Sequence, residues 1–281
     1  MLKLIKTVRE LQITYFCKCK QVKMSKRPLI LVTNDDGILA PGIRNLIHIM
    51  NSLGEVIVVA PDSPQSAMGH AITINKTLFC KKEQIDNGPQ KEYSTSGTPA
   101  DCIKLAVHEL LDRKPDLCVS GINHGSNSSI NVIYSGTMSA AIEAGMSEIP
   151  AIGFSLLNYN WDADFSAVES YIKTLCLKVL KKGLQKGIVL NVNFPNLAEK
   201  SIKGFKVCRQ ANANWIEKFD KRQSPMGRSY YWLTGEFINH DKGKDTDEWA
   251  LKEGYISVVP VQFDFTAHQY LSELNDWDLN G

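Results

Sequence analysis

Between Leu29 and Ala60 the chain runs from an apolar strand through an amphipathic helix into a second apolar strand, and that order leaves few folds open. Leu29-Ile-Leu-Val-Thr33 is apolar or β-branched throughout, as a strand covered on both faces must be. Ile43, Leu46, Ile47 and Met50 recur at i, i+3, i+4 and i+7, one face of a helix that Pro41 starts. Gly54 closes the unit, and Val56-Ile-Val-Val-Ala60 reads as a second buried strand. A strand–helix–strand unit of this kind requires a parallel sheet with a right-handed crossover.

The alternation persists. Thr98 and Pro99 open a helix whose buried face is Ile103, Ala106, Val107 and Leu110. Asp116–Ser120 is a short strand, Tyr134–Gly145 a helix of small residues, and Pro150–Ser155 a strand. Phe165, Val168, Ile172, Leu175 and Val179 mark a long amphipathic helix, and Gly187–Phe194 is a further strand. The predicted fold is therefore α/β, a Rossmann-like doubly wound and mostly parallel sheet. Ala71–Asn75 also reads as a strand, and residues 81–92 as an exposed hairpin or loop. After Ser201 the pattern shifts to mixed aromatics, charges and short alternating runs, the mark of β-hairpins. We thus divide the chain into residues 1–23, a basic extension or a mis-set start; residues 24–200, an α/β catalytic core; and residues 201–281. The last is a β-rich and helical segment that completes the fold and supplies an oligomer interface.

Charge and cysteine usage exclude several function classes. The chain carries +2, but residues 1–23 hold six basic side chains against Glu10, a net +5, which leaves −3 for the remainder. That acidic body offers no surface to a nucleic-acid polymer. No apolar run approaches the roughly 18 residues of a membrane span. Seven scattered cysteines, an odd number, point to reduced thiols and a cytoplasmic location.

The first strand ends in Asn34-Asp-Asp-Gly37. Asp35 and Asp36 fall at the carboxyl end of a central strand, where open α/β sheets bind ligands. Two adjacent carboxylates repel unless a cation lies beside them, and a hard divalent ion such as Mg²⁺ or Mn²⁺ takes oxygen ligands. Ser66, in the loop after the second strand, offers a hydroxyl to a metal or phosphate, or caps a turn. Gly97–Asp101 suits an anion at a helix N-terminus or plain capping. In the stretch Gly121–Asn131, dense in Gly, Asn and Ser, Asn123 lies nearest the strand end, where its amide oxygen would join a metal shell. Ser135, Gly136 and Thr137 open the small-residue helix and form a seat for phosphate. Among the six histidines none makes a metal-spaced pair; His70 and His124 fall in candidate site loops. The acidic turn Asp245–Trp249 is expected to cap the helix after it.

Together Asn34-Asp-Asp-Gly37, Ala60-Pro-Asp62 with Gln65-Ser66, Ser96-Gly-Thr-Pro-Ala-Asp101, Ser120-Gly-Ile-Asn123 with Gly125 and Asn127, and Tyr134-Ser-Gly-Thr137 resemble the SurE family of survival-protein 5′-nucleotidases. The likeness runs from about Met24 to about His268, in order and spacing. It implies a phosphomonoesterase that hydrolyses nucleoside monophosphates with metal-activated water. On that resemblance Asp35, Asp36, Ser66 and Asn123 hold one divalent ion per subunit, Mg²⁺ or Mn²⁺. Asn127, Ser135, Gly136 and Thr137 lie near the substrate phosphate, and Asp36 or Asp35 is the general base. It also implies a homodimer or homotetramer that exchanges C-terminal elements. Ala67-Met68 departs from the family, in which glycine is frequent after the serine. Two other readings stand beside this one: a nucleotide-binding stress protein without turnover, and a covalent aspartyl phosphotransferase, which the adjacency of the aspartates disfavours.

Overall fold

The computed structural model describes residues 27–277 and 279. The expectation for residues 1–23 lies outside the described residues.

Among the described residues nine strands form one sheet, in the order β3 (Cys80–Glu83), β4 (Lys91–Thr95), β2 (Glu55–Pro61), β1 (Leu29–Thr33), β5 (Leu117–His124), β6 (Ala151–Leu156), β7 (Ile188–Phe194), β11 (Ile256–Gln262) and β8 (Phe205–Val207). The six central strands, β4, β2, β1, β5, β6 and β7, are parallel. Strand β1 shows why both faces had to be apolar. Ile30 and Val32 point to one face, against Ile43, Leu46 and Ile47 of α1 (Pro41–Asn51) and Ile172, Cys176 and Val179 of α4 (Glu169–Lys182). Leu29 and Leu31 point to the other, against Cys102 and Ile103 of α2 (Pro99–Leu105) and Met138, Ala141 and Ala144 of α3 (Gly136–Met146). Helices on both faces make the sheet doubly wound, as its strand–helix alternation requires. The chain leaves β1 toward β2 and β4, then crosses back to β5 on β1's other side. The crevice between the ends of β1 and β5 is thus the topological switch point.

The helix at Thr98 forms with the expected cap. The Thr98 side chain accepts from the Asp101 amide, and the Asp101 carboxylate accepts from the Thr98 amide at 2.9 Å.

One strand expectation fails. Residues 71–75 form no strand: Ile72 and Ile74 are 45% and 77% exposed, and the segment is pinned by side chains instead. Thr73 donates to Asp101 through its amide (3.0 Å) and its hydroxyl (2.6 Å). The edge of the sheet is taken by β3 (Cys80–Glu83), which pairs antiparallel with β4, so residues 81–92 are a hairpin as expected. An alternating run becomes a strand only where a neighbour offers free backbone groups.

Beyond Ser201, β11 (Ile256–Gln262) lies antiparallel to β7, and β8 (Phe205–Val207) lies parallel to β11 at the edge. Strands β9 (Ala213–Gln223) and β10 (Ser229–Asn239) form a separate hairpin with most side chains exposed on both faces. The expectation for the acidic turn is corrected. Thr246, not a carboxylate, caps α5 (Asp247–Lys252), through its bond from the Trp249 amide. Asp245 pairs with Arg209, and Asp247 accepts from the amides of Ser129 and Ala211 at 2.8 and 2.9 Å. Asp247 also accepts from the Glu248 amide of its own helix at 2.8 Å, so one carboxylate of the turn serves the helix start and the neighbouring loops together. No helix among the described residues is long and apolar enough to cross a membrane.

Candidate active site

The candidate site lies at the switch point. Gly37, at φ +97°, turns the chain sharply after β1. This leaves Asp35 buried at 4% exposure, beneath the N-terminus of α3, and Asp36 partly open toward β5. The Thr137 hydroxyl donates to Asp35 Oδ1 at 2.5 Å, and the Thr137 amide also faces that carboxylate. The Gln65 amide bonds the Asp35 carbonyl at 2.7 Å, which ties the Ser66 loop to the same residue. Asp36 is held more lightly, by the His124 amide at 3.4 Å.

Burial, and then the neighbouring Asp36 charge, push the Asp35 carboxyl up to about 6 against the bonds from Thr137. Burial likewise raises Asp36, offset in part by the His124 amide. Both carboxylates therefore stand in want of positive charge. Among the described residues no three His, Cys, Asp or Glu side chains gather as a metal centre. A cation here would rest on two carboxylates and neutral oxygens, the donor set of a hard divalent ion. Asn123 fits that set: its Nδ2 is spent on the Gly125 carbonyl (3.0 Å), which leaves Oδ1 as the donor. The same two strand ends carry buried polar oxygens without partners among the described residues, Asn34 Oδ1 and Ser120 Oγ. Ser66 is exposed in its loop, followed by Ala67 in the left-handed region at φ 58°. Glycine would adopt that conformation without the steric cost alanine bears there.

The residues expected near the phosphate are held by different bonds, Ser135 and Gly136 at the start of α3 and Asn127 against the ends of β6 and β7. Ser135 caps α3 by accepting from the Met138 amide at 3.0 Å, which leaves its own hydroxyl proton to donate. Gly136 abuts Asp35: a Cβ there would stand 2.6 Å from Asp35 Cβ. Asn127 is fixed by a network that the sequence reading missed. Its amide donates to Asn193 Oδ1, its carbonyl accepts from Asn191 Nδ2, and its own Nδ2 donates to Ser155 Oγ, all at 2.8 Å. The available signal was Asn191-Val-Asn193, two amides on one face of a buried strand.

Both loop histidines have local partners. His70 Nε2 meets the buried Glu143 of α3 at 2.9 Å, and Lys104 reaches the same carboxylate at 2.7 Å. Burial opposes ionisation of Glu143, but these two partners hold it below the usual range. His124 Nδ1 donates to the Asn160 carbonyl at 2.8 Å, since a carbonyl only accepts.

Residues 30–217 match the family model of survival protein SurE. A Flavobacterium psychrophilum protein described as 5′-nucleotidase SurE is 70% identical over 257 residues, 92% of this chain and 100% of that protein. A Bacteroides fragilis protein of the same description is 47% identical, covering 91% of this chain and 99% of its own. The crystal structure of the SurE protein from Aquifex aeolicus superposes with a TM-score of 0.77 at 37% identity, over 88% of this chain and 98% of that one.

Proposed function

The chain belongs to the SurE family and is a 5′-nucleotidase, and from that premise we propose that it hydrolyses nucleoside monophosphates at the Asp35–Asp36 crevice with one divalent ion per subunit. The observation that carries this reading is the pair of adjacent carboxylates at the switch point, one of them held at about 6 by burial and by the other, facing the start of α3. Asp35, Asp36, Asn123 and the exposed hydroxyl of Ser66 would hold Mg²⁺ or Mn²⁺. A divalent ion there would neutralise phosphate charge and lower the pKa of a water.

The remaining roles follow from which donors are unspent. The Ser135 hydroxyl proton, the second hydrogen on Asn127 Nδ2 and the Gly136 amide at the start of α3 are left for phosphoryl oxygens. Gly136 keeps the approach open. Thr137 spends its hydroxyl on Asp35 and acts through that residue. Asp36, lightly held and partly open, takes the proton from the attacking water. The same reading assigns residues 24–200 the chemistry and residues 201–281 the contacts of a homodimer or homotetramer. Trp215, Phe219, Tyr231, Trp232 and Leu233, each at least 44% exposed on the β9–β10 hairpin, support that assignment.

Phosphate release from a panel of nucleoside 5′- and 3′-monophosphates, with Mn²⁺, with Mg²⁺ and with EDTA, tests the proposal. Release with metal that stops in EDTA is expected. A folded protein that binds metal and releases nothing from any nucleotide would instead be a binding protein without turnover.

A further inference from the structure

Strand β6 ends at the same edge as β1 and β5, and the loop after it carries two large aromatic side chains in the open. Tyr159 is 76% exposed and Trp161 59% exposed. Neither is adrift. The Trp161 ring lies parallel to His124, with centroids 5.6 Å apart and planes 10° apart. Phe165, buried in the core, meets His124 edge-on at 5.2 Å. The Tyr159 ring packs so closely on Gly125 that a Cβ there would stand 2.3 Å from it. The loop is tied back by His124 Nδ1 to the Asn160 carbonyl and by the Gly125 amide to the Leu156 carbonyl, both at 2.8 Å. His124 is in turn joined to Asp36 through its backbone amide. Two ring faces are thus held rigidly, left in water, and attached to the strand end that carries the reacting centre.

Resting on the nucleotidase reading, we infer that Trp161 and Tyr159 form the shelf on which the base of the nucleoside monophosphate stacks. Every nucleobase has a flat π-face, and stacking on an aromatic side chain is indifferent to its hydrogen-bonding edge. Stacking of this kind selects for the presence of a base and for its size more than for its identity. The competing place is an apolar cavity of about 460 Å³ between α3 and β11, lined by His70, Ser135, Ile142, Met146, Phe263 and Phe265. It reaches the site through Ser135, whereas the shelf is bonded to the Asn123–Gly125 segment itself.

The test compares adenosine 5′-monophosphate with ribose 5-phosphate, which has no base, with Mn²⁺ present, on wild type, Trp161→Ala, Trp161→Phe and Phe265→Ala. In Trp161→Ala, kcat/KM for the nucleotide is expected to fall about tenfold more than for ribose 5-phosphate, mostly through KM, as loss of one stacking partner implies. Trp161→Phe is expected to recover most of it. An equal fall for both substrates would make Trp161 a support for His124 only and overturn the shelf. So would selective loss in Phe265→Ala with Trp161→Ala unaffected. A wild type that releases phosphate from neither compound would sink the nucleotidase reading separately. The shelf is then read by quenching of tryptophan fluorescence on titration with adenosine 5′-monophosphate. Quenching that disappears in Trp161→Phe supports it, and quenching that persists there refutes it.

Discussion

Asp35→Asn is expected to make the protein more stable at pH 7.5 without added metal, while lowering phosphate release about a thousandfold. The stability gain follows from the sign of the shift. In the unfolded chain the carboxyl ionises near 3.8; in the folded protein burial, and then Asp36, hold it at about 6. Below pH 4 the group is protonated in both states and costs nothing. As pH rises from 4 to 6 the unfolded chain loses the proton and the folded protein resists, so stability falls through that window and levels off above it. The gap is worth about 3 kcal/mol at neutral pH. Asparagine carries no charge and still offers an oxygen to Thr137, so the variant's Tm should decline less between pH 4 and 7.5 than the wild type's. On the proposed reading the activity loss has the same origin, because the charge that destabilises the fold is the one that would attract the ion. Thermal melts at pH 4.5 and 7.5, paired with phosphate release, check both halves.

Gly136→Ala should cost at least about a hundredfold in turnover with a smaller loss of stability. The added methyl would stand 2.6 Å from Asp35 Cβ, 2.8 Å from Oδ2 and 3.1 Å from Cγ. Asp35 has little room to yield, since Thr137 holds its carboxylate and Gln65 its carbonyl. Either the carboxylate or the start of α3 must shift. Overpacking of this kind costs about 1–3 kcal/mol, whereas displacing a reacting group by about 1 Å costs on the order of a hundredfold in rate. Kinetics at saturating metal and a thermal melt separate the two effects. Wild-type turnover in this variant would mean that Asp35 does not take part.

The parts of the fold legible in the sequence were those that water enforces. Leu29–Thr33 is covered on both faces by helices, so every position had to be apolar, and its polar tip then marked the ligand edge. Pairing with an exposed neighbour leaves a weaker trace. Cys80-Lys-Lys-Glu83 is a real edge strand with no apolar face, while Ile72 and Ile74 alternate like a strand and face water. Strand β9 went unread because its aromatics and charges lie exposed on both sides of a hairpin and carry no periodic signal. At the site, residue types announced the two carboxylates and the start of α3. Long-range bonds stayed hidden. Nothing local tells that Thr137 turns to Asp35, 102 residues away, or that Asn191 and Asn193 fix the backbone of Asn127.

The central claim, that Asp35 and Asp36 form a divalent-ion site, is tested most directly by calorimetric titration of Mn²⁺ into the wild type, Asp35→Asn and Asp36→Asn. One ion per chain in the wild type, with binding lost or greatly weakened in both variants that remain folded, is the predicted result. Binding of the same number of ions at the same affinity by either variant would place the metal elsewhere and contradict the account.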